Sequence, residues 1–319
     1  MNALDSSLSG RRILVTGASG FIGAHLCRRL LGCGAELYAV SREPRADEVG
    51  LRWSQGDLAD APFVRKTVAA IRPDVVYHLA SHVAGARDVG LVIPMLQSNL
   101  VSTVNLLTAA AERGCPRLVL AGSFEEPGPD AAGPVPCSPY AAAKAAATGY
   151  ARMFRALFGL PAVHLRIFMV YGPGQNDLRK LVPYVTLSLL RGETPKLSSG
   201  RRPVDWVFVE DVVDGLLAAG AGGDPGSQPV DIGSGSLVTV REIAERLAQL
   251  IDPAVVPQFG AVEDRPLEPV RSADTVAAER LLGWRPRTPL EEGLQKTVAW
   301  FRRTYVRAPG PGRPCLSHA

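Results

Sequence analysis

The stretch Arg11-Arg12-Ile13-Leu14-Val15-Thr16-Gly17-Ala18-Ser19-Gly20-Phe21-Ile22-Gly23 decides the fold. A short apolar run predicts a strand, the spaced glycines predict a tight turn, and the pattern from Ala24 to Leu31 predicts a helix. In such a unit one glycine makes the turn, one lets backbone approach a pyrophosphate, and one lets the helix pack on the strand. The N–H groups at the helix N-terminus favour phosphate. This stretch therefore predicts a dinucleotide-binding domain.

Later apolar runs predict further parallel strands that end at Val40, Leu58, Ala80, Ser123 and Phe168. The predicted fold class is α/β: a Rossmann-type, doubly wound parallel sheet with a smaller, interleaved C-terminal α/β substrate lobe. There is no internal repeat or Gly/Ser linker to separate the lobes. The predicted division is a cofactor domain at 1–168 with returning segments near 203–233, a substrate lobe at 169–202 and 234–306, and a flexible tail at 307–319.

Composition excludes several classes of function. The 319 residues are 46% hydrophobic with a mean hydropathy of +0.08, which is typical of a globular protein. A net charge of +4 without a basic block argues against nucleic acid. Five scattered cysteines without a CxxC pair, and His78 and His82 without a third ligand, predict no metal. No apolar run approaches the ~20 residues that span a membrane, and the polar start predicts a cytoplasmic protein.

Tyr140 and Lys144 lie in an alanine-rich run that predicts a helix. Residues four apart share a helix face, so the phenol and the ammonium point the same way. A nearby cation is expected to lower the pKa of the phenol from about 10 toward neutral, which suits proton transfer to a carbonyl or from an alcohol. Ser123 ends a predicted strand, at the edge where parallel sheets bind ligands. The alternative is a chance pair on a solvated helix.

The second predicted strand ends at Ser41-Arg42. An acidic residue here would bind the ribose 2′-OH of NAD, whereas an arginine accommodates a 2′-phosphate. Arg42 therefore favours NADP(H) over NAD(H), unless it is only a surface arginine. Asp57, which follows the third strand, is in a position to reach the adenine edge.

Together these motifs resemble the extended short-chain dehydrogenase/reductases, the group of nucleotide-sugar epimerases, dehydratases and reductases. The resemblance covers Thr16 to about Thr304. It rests on the glycine stretch at 16–23, Gly56-Asp57-Leu58, Asn99, Ser123, Tyr140 with Lys144, Tyr171-Gly172-Pro173-Gly174-Gln175, Val209-Glu210-Asp211-Val212 and Leu282-Gly283-Trp284-Arg285-Pro286.

The resemblance implies that Tyr140 is the acid/base, that Lys144 lowers its pKa and binds the nicotinamide ribose, and that Ser123 hydrogen-bonds the reacting oxygen. It also implies a nucleotide diphosphate sugar as substrate, and a homodimer formed by the helices that begin near Asn99 and Tyr140. The predicted cofactor-binding residues are Gly17, Ser19, Gly20, Phe21, Ile22, Gly23, Ser41, Arg42, Asp57, Leu58, Leu79, Ala80, Ser81, Asn99, Tyr140 and Lys144. Arg202 and Arg271 are candidates for the diphosphate because arginine binds phosphate oxygens bidentately.

Departures from the family pattern bear on the reaction. Met169 replaces an asparagine that usually lies near the substrate phosphates, and Val204 replaces an arginine. After Ser123, Phe124 replaces the acid that 4,6-dehydratases use, while Glu125 keeps the position of the base; an elimination needs both groups. The Ser-X-Glu-Glu pattern is similar to that of 4-keto sugar nucleotide reductases.

We therefore expect net reduction of a 4-keto sugar nucleotide. A C4 epimerase or a 4,6-dehydratase that uses the same Ser/Tyr/Lys set, or a ketoreductase of a non-sugar natural product, stays open as an alternative. A cofactor-binding sensor without turnover would not need Tyr140.

Overall fold

The computed structural model describes residues 3–127, 135–265 and 267–305. The strands of the described chain are β1 Arg12–Thr16, β2 Glu36–Ser41, β3 Leu51–Gln55, β4 Val75–His78, β5 Leu118–Ser123, β6 Ala162–Ile167, β7 Met169–Tyr171, β8 Pro203–Phe208, β9 Val230–Ile232 and β10 Leu237–Thr239. The helices are α1 Ala3–Leu8, α2 Phe21–Gly32, α3 Ala61–Ile71, α4 Val92–Met95, α5 Ser102–Glu112, α6 Pro139–Phe158, α7 Leu181–Leu190, α8 Val209–Ala221, α9 Val240–Ile251, α10 Thr275–Leu282 and α11 Leu290–Tyr305.

Seven strands pair in parallel in the order β3-β2-β1-β4-β5-β6-β9. The chain runs outward from β1 to β3, then returns and runs outward from β4 in the other direction. The direction of winding therefore changes between β1 and β4, where Thr16 is in register with His78. Parallel sheets of this kind bind ligands at the carboxyl edge beside that point. The predicted Rossmann-type sheet is confirmed.

The core has two layers because strand side chains alternate between the faces of the sheet. Ile13 and Val15 of β1 point into a cluster with α2 and α8, whereas Leu14 points into a second cluster with α3, α5 and α6. Burial on both faces explains why these strands are continuous apolar runs rather than alternating ones.

The chain divides into two compact units. The first comprises Met1–Val170, Pro203–Val238 and Arg265–Thr288, and the second Tyr171–Arg202, Thr239–Asp264 and Pro289–Ala319. The sequence predicts 265–288 in the second lobe, whereas this division places Arg265–Thr288 in the first unit. The reason is that Ala273 N–H and Asp274 N–H donate to Asp205 and Asp231, and α10 packs on β9. The predicted tail at 307–319 lies outside the described residues.

Helices α7, α9 and α11 pack together in the second unit. Helix α9 begins with a capping box, in which Thr239 and Glu242 satisfy each other's backbone N–H groups. Lys196 and Gln258 form a short parallel bridge in the same unit. That this unit binds the substrate stays a prediction.

The helix predicted to begin near Asn99 begins earlier. One helical stretch runs from Val89 to Glu112 and includes a π-helical segment, Leu96–Val101. By length and composition it could cross a membrane, which corrects the expectation that no run of that length exists; a core helix of a soluble protein passes the same test. Its second half packs Leu106 and Leu107 into the core, whereas Val89 and Ile93 are exposed.

Candidate active site

Ser123 and Tyr140 meet at the carboxyl edge of the sheet. Ser123 is the last residue of β5, and Tyr140 lies in the first turn of α6, whose N-cap Ser138 accepts from Ala141 N–H at 3.1 Å. The hydroxyl groups of Ser123 and Tyr140 lie close enough to each other to interact. Lys144 follows one turn later; its Nζ donates to Ala121 O at 2.7 Å and lies 5.8 Å from the centroid of the Tyr140 ring. The structure therefore brings the predicted set together.

Burial dominates the acidity of this set. It raises the pKa of Tyr140 above its ordinary value; the interaction with Ser123 opposes the rise, and the charges of Glu125 and Glu126 add to it. Burial also lowers the pKa of Lys144 to about 8, an effect that Glu126 opposes. The expectation that the ammonium brings the pKa of the phenol toward neutral is therefore wrong for the protein groups alone. Tyr140 keeps its proton at neutral pH.

Glu125 and Phe124 point to different surroundings. Glu125 is half-buried, and its Oε2 accepts from Ser138 Oγ at 3.4 Å, next to the start of the Tyr140 helix. Phe124 is buried in the core and stacks on Phe168 with ring centroids 5.6 Å apart. The side chain that would occupy the acid position of a dehydratase is thus an apolar core residue, while the predicted base lies near Tyr140.

Glu126 is a buried acidic residue that the sequence analysis did not assign to the site. Its Oε1 accepts from Ser123 N–H at 2.6 Å, and its Oε2 accepts from Thr148 Oγ1 at 2.7 Å. His164 Nε2 lies 3.4 Å from Glu126 Oε1. The sequence contains Glu126 in the Ser-X-Glu-Glu pattern that begins at Ser123, but its partner His164 is distant in the sequence, so the pattern does not indicate its burial in this cluster.

The glycine turn is sterically required. Gly17 has φ +73°, and a Cβ there would lie 2.6 Å from Ala80 N; a Cβ on Gly23 would collide with the Gly17 carbonyl. Helix α2 begins at Phe21 with no side-chain cap, so its first N–H groups are available to an anionic ligand. Gly17 and Gly23 thus form a cradle that a side chain would fill, which fits the pyrophosphate of a dinucleotide.

Hydrogen bonds fix the strand ends beside this turn. Thr103 Oγ1 donates to Asn99 O at 2.6 Å and so must accept from His78 Nε2, at 2.9 Å; His78 Nδ1 then accepts from Thr16 Oγ1 at 2.7 Å. Burial lowers the pKa of His78 to about 3, with a smaller effect from Lys144, so it stays neutral. This histidine joins β1 and β4 to the start of α5, where Thr103 lies.

Asn99 holds the loop after β4. Its Oδ1 accepts from His82 N–H at 2.7 Å and its Nδ2 donates to His82 O at 3.0 Å. The preceding residues Leu79, Ala80 and Ser81 are half-buried beside Gly17. The carboxyl ends of β2 and β3 add further predicted residues to this edge: Ser41, Arg42, Asp57 and Leu58. Arg42 and Asp57 are exposed there. Direct cofactor contacts of all these residues stay predictions.

The substrate candidates fall in different units. Arg271 belongs to the first unit and Arg202 to the second. Arg271 is half-buried, lies 5.7 Å from the ring centroid of Phe168, and has no hydrogen-bond partner for Nε and Nη2 among the described residues. Met169 packs partly against the core. No cluster of three metal-ligating side chains occurs in the described ranges.

The sheet, the glycine turn and the buried Ser/Tyr/Lys set define a nicotinamide-dependent enzyme of the extended short-chain dehydrogenase/reductase class. The chain belongs to the NAD-dependent epimerase/dehydratase family, which it matches over residues 13–233.

Among its relatives is the UDP-glucose 4-epimerase of Mycolicibacterium smegmatis, 33% identical over 311 residues, with 91% of this chain and 98% of the relative covered. The dTDP-glucose 4,6-dehydratase of Neisseria meningitidis serogroup B is 31% identical over 336 residues, covering 91% and 93%. The structure of MoeE5 in complex with UDP-glucose and NAD has a TM-score of 0.79 and 34% identity, covering 92% of this chain and 99% of that one.

Proposed function

We propose that this enzyme transfers hydride at C4 of a nucleotide-activated sugar, with net reduction of a 4-keto sugar nucleotide as its reaction. The Ser123–Tyr140–Lys144 arrangement carries this proposal. Hydride comes from the nicotinamide of NAD(P)H, for which the Gly17–Gly23 cradle and the start of α2 provide a phosphate site.

The protein groups have complementary roles in this reduction. Ser123 Oγ hydrogen-bonds the substrate carbonyl oxygen, and Tyr140 Oη donates the proton that this oxygen needs as it becomes an alcohol. The raised pKa of Tyr140 suits a general acid because the phenol carries its proton at neutral pH. Lys144, anchored on Ala121 O beside the phenol, supplies positive charge that stabilises the phenolate after transfer.

Arg271 supports an anionic substrate. Two of its nitrogens are buried without a hydrogen-bond partner among the described residues, and diphosphate oxygens would satisfy them. The solved structure of MoeE5 is a complex with UDP-glucose, and other relatives bear the names of UDP-glucose and dTDP-glucose enzymes. A 4-keto nucleoside diphosphate sugar combines a diphosphate with a carbonyl carbon that hydride can reduce. Arg202 is the second candidate for the diphosphate.

C4 epimerisation is the second candidate, favoured by the 33% identity to a UDP-glucose 4-epimerase. It uses the same groups but must retain its cofactor through both half-reactions. The 4,6-dehydratase alternative receives less support because Phe124 is an apolar core residue.

Incubation with NADPH and a panel of 4-keto nucleotide sugars tests the reduction, with the fall in NADPH absorbance as readout. We expect stoichiometric consumption with one of them. Without net consumption, conversion of a 4-hydroxy sugar to its C4 epimer would favour the epimerase, and conversion to a 4-keto-6-deoxy sugar would favour the dehydratase. Thermal stabilisation by UDP, GDP, dTDP or CDP tests the nucleotide independently. No response to any of the four would favour a non-sugar ketoreductase.

We further propose that NADP(H) is preferred, although the solved structure of MoeE5 is a complex with NAD. Arg42 is exposed immediately after β2, where a 2′-phosphate would lie. R42A should weaken NADPH binding about tenfold or more and change NADH binding little. R45A is the matched control, since Arg45 instead lies over the Trp53 ring at 5.0 Å. Equal loss of both cofactors in R42A contradicts the preference.

The proposed homodimer uses the helices that begin near Asn99 and Tyr140. Val89 and Ile93 on the first stretch, and Leu157 and Phe158 at the end of α6, are exposed apolar side chains. A second copy would cover such faces, as the resemblance implies. Light scattering should give twice the chain mass of 33.9 kDa, and a monomer mass contradicts the proposal.

A further inference from the structure

Behind Ser123, Tyr140 and Lys144 lies a second polar cluster of Glu126, Thr148 and His164, in which Glu126 and His164 are buried and Thr148 is half-buried. Glu126 is 4% exposed and His164 8% exposed. A Cβ on Gly122, the residue before Ser123, would collide with the His164 ring and the Glu126 carboxylate. The glycine therefore lets a carboxylate and an imidazole approach the strand end directly beneath the reacting group.

The contacts of Glu126 reach two members of the Ser/Tyr/Lys set. Oε1 accepts from the backbone N–H of Ser123 at 2.6 Å. Oε2 accepts from Thr148 Oγ1 at 2.7 Å, and the same hydroxyl lies 3.1 Å from the carbonyl oxygen of Lys144. His164 Nε2 lies 3.4 Å from Oε1 and 3.2 Å from Thr148 Oγ1. One carboxylate thus joins the end of β5 to the helix that carries Lys144.

The carboxylate is ionised despite its burial. Burial alone would raise the pKa of Glu126, but the charge and hydrogen bond of His164 and the hydrogen bonds from Thr148 and Ser123 outweigh it, so that its pKa lies below the ordinary value. A buried ion with this many donors keeps a fixed position, because any shift leaves donors unsatisfied.

Three groups act on Lys144 or face it from the elements around it. Tyr140 on the same helix keeps its proton at neutral pH, and His78 on β4 is neutral. Glu126, after β5, is the one charged group of the three, and its charge raises the pKa of Lys144 against the effect of burial.

We propose that Glu126 is a positioning residue for the hydride-transfer site: clamped by Thr148 and His164, it fixes the backbone of Ser123 and is the buried counter-charge of Lys144. The proposal deepens the proposed function and rests on it for its catalytic meaning. Glu126 does not reach the substrate; it acts through Ser123 and Lys144.

The test uses the small number of lysines. The chain has five, Lys66, Lys144, Lys180, Lys196 and Lys296. Protein labelled with [ε-¹³C]lysine gives five resonances, and the signal lost in K144M is that of Lys144. Its chemical shift followed against pH measures the pKa of Lys144 without substrate. In wild-type protein we expect a midpoint of about 8.

E126Q removes the charge and keeps an oxygen for the Ser123 N–H. The Lys144 midpoint should then fall by about half a pH unit or more, since the opposite charge that favours the ammonium is gone. T148V is the matched control: it changes the same cluster at similar volume but keeps the charge, so the Lys144 midpoint should stay at the wild-type value. An unchanged midpoint in folded E126Q, or an equal fall in T148V, overturns the counter-charge role.

E126D tests the positioning role and replaces E126Q if that variant does not fold. The shorter side chain keeps the charge but withdraws the oxygen from Ser123, so the Ser123 amide should exchange with deuterium about tenfold faster or more. Unchanged exchange at Ser123 overturns the clamp.

Turnover distinguishes this proposal from the proposed function. Once a keto-sugar nucleotide that the enzyme reduces is known, kcat can be measured against pH. The pH profile of kcat in E126Q should shift in the same direction as the Lys144 midpoint, while KM for the cofactor stays constant. A wild-type enzyme that reduces no keto-sugar nucleotide would refute the proposed function, whereas the lysine titration and the Ser123 exchange would still decide the role of Glu126. An unshifted profile in E126Q overturns the link to catalysis.

Discussion

Glu126 is a buried charged side chain of the first unit and Arg271 a half-buried one, and their surroundings differ. Glu126 accepts hydrogen bonds from Ser123 N–H and Thr148 Oγ1 and lies beside His164. Arg271 has two buried nitrogens without a hydrogen-bond partner among the described residues, and burial, followed by the charge of Arg166, lowers its pKa. The protein thus compensates the charge of Glu126 with hydrogen bonds, whereas the charge of Arg271 is only partly compensated in this way.

This difference separates two uses of a buried charge. An ion whose hydrogen bonds are complete holds the groups around it, and its removal leaves those groups unsatisfied. An ion with incomplete hydrogen bonds weakens the fold, and a ligand of opposite charge gains by completing them. Glu126 is thus expected to matter for the fold and the geometry of the set, and Arg271 for binding.

The largest effect, on kcat, should come from substitution of Tyr140, the phenol beside Glu126. Y140F removes the transferred proton and should lower kcat about 10²- to 10⁴-fold while the cofactor Kd stays within a factor of about three. Y150F, an exposed tyrosine on the same helix, is the control and should keep full activity. Steady-state kinetics and fluorescence titration with NADPH measure both quantities. Substantial turnover in Y140F would remove Tyr140 from the reaction.

The next largest effect, a loss of folding stability, should follow removal of the charge of Glu126. E126A leaves Ser123 N–H, Thr148 and His164 without their acceptor, and should lower the free energy of unfolding by about 3 kcal/mol. The control E112A breaks an exposed pair with Arg65, N–O 3.1 Å, and should cost about 0.5 kcal/mol. Urea denaturation measures both. A loss in E126A no larger than in E112A would show that Glu126 is not compensated in the folded state.

Lys144, the buried partner of Glu126, makes the free energy of unfolding depend on pH. Burial lowers its pKa from 10.5 to about 8, so between these values the folded protein binds fewer protons than the unfolded chain, and the free energy of unfolding rises with pH. Below pH 8 the side chain is charged in both states, and the destabilisation by the buried ammonium reaches its full size.

K144M should therefore be about 2–3 kcal/mol more stable than wild type at pH 7, and this gain should vanish toward pH 10.5. K296M, which removes an exposed lysine paired with Glu292, should show no such slope. Denaturation curves between pH 7 and 10 measure the difference. A gain in K144M that does not change with pH would mean that the lysine is not desolvated.

Most of the fold could be predicted because its signals are local. Apolar runs, the glycine turn and the alanine-rich helix each act over a few residues, and α2, Phe21–Gly32, covers the predicted helix from Ala24 to Leu31. The earlier start of the helical stretch at Val89 has a cap, Asp88, whose side chain accepts from Gly90 N–H, but the opening turns are too short and irregular to show a helical period in the sequence. The place of 265–288 depends on bonds from Ala273 and Asp274 to distant aspartates.

The residues of the candidate site could be predicted from the sequence, but the directions of their pKa shifts and the charges paired with them could not. Ser123, Tyr140 and Lys144 follow a spacing that the sequence displays. Burial, which sets the direction of both pKa shifts, depends on the whole packing of β5 and α6. The pairing of Glu126 with His164 joins residues 38 positions apart, 126 to 164, and no local pattern indicates it.

Substitution of Arg271 should have the smallest effect on stability, and in contrast to E126A it should weaken substrate binding rather than the fold. R271M removes the guanidinium that the described residues do not fully compensate, so the free energy of unfolding should stay constant or rise slightly. KM for the nucleoside diphosphate sugar should rise about tenfold, the loss expected for hydrogen bonds to a charged group. R285M, at an arginine whose side chain is 69% exposed, is the control and should change neither. If R271M destabilises the fold as E126A does while KM holds, Arg271 is a structural ion like Glu126, and the distinction between a compensated and an uncompensated charge fails.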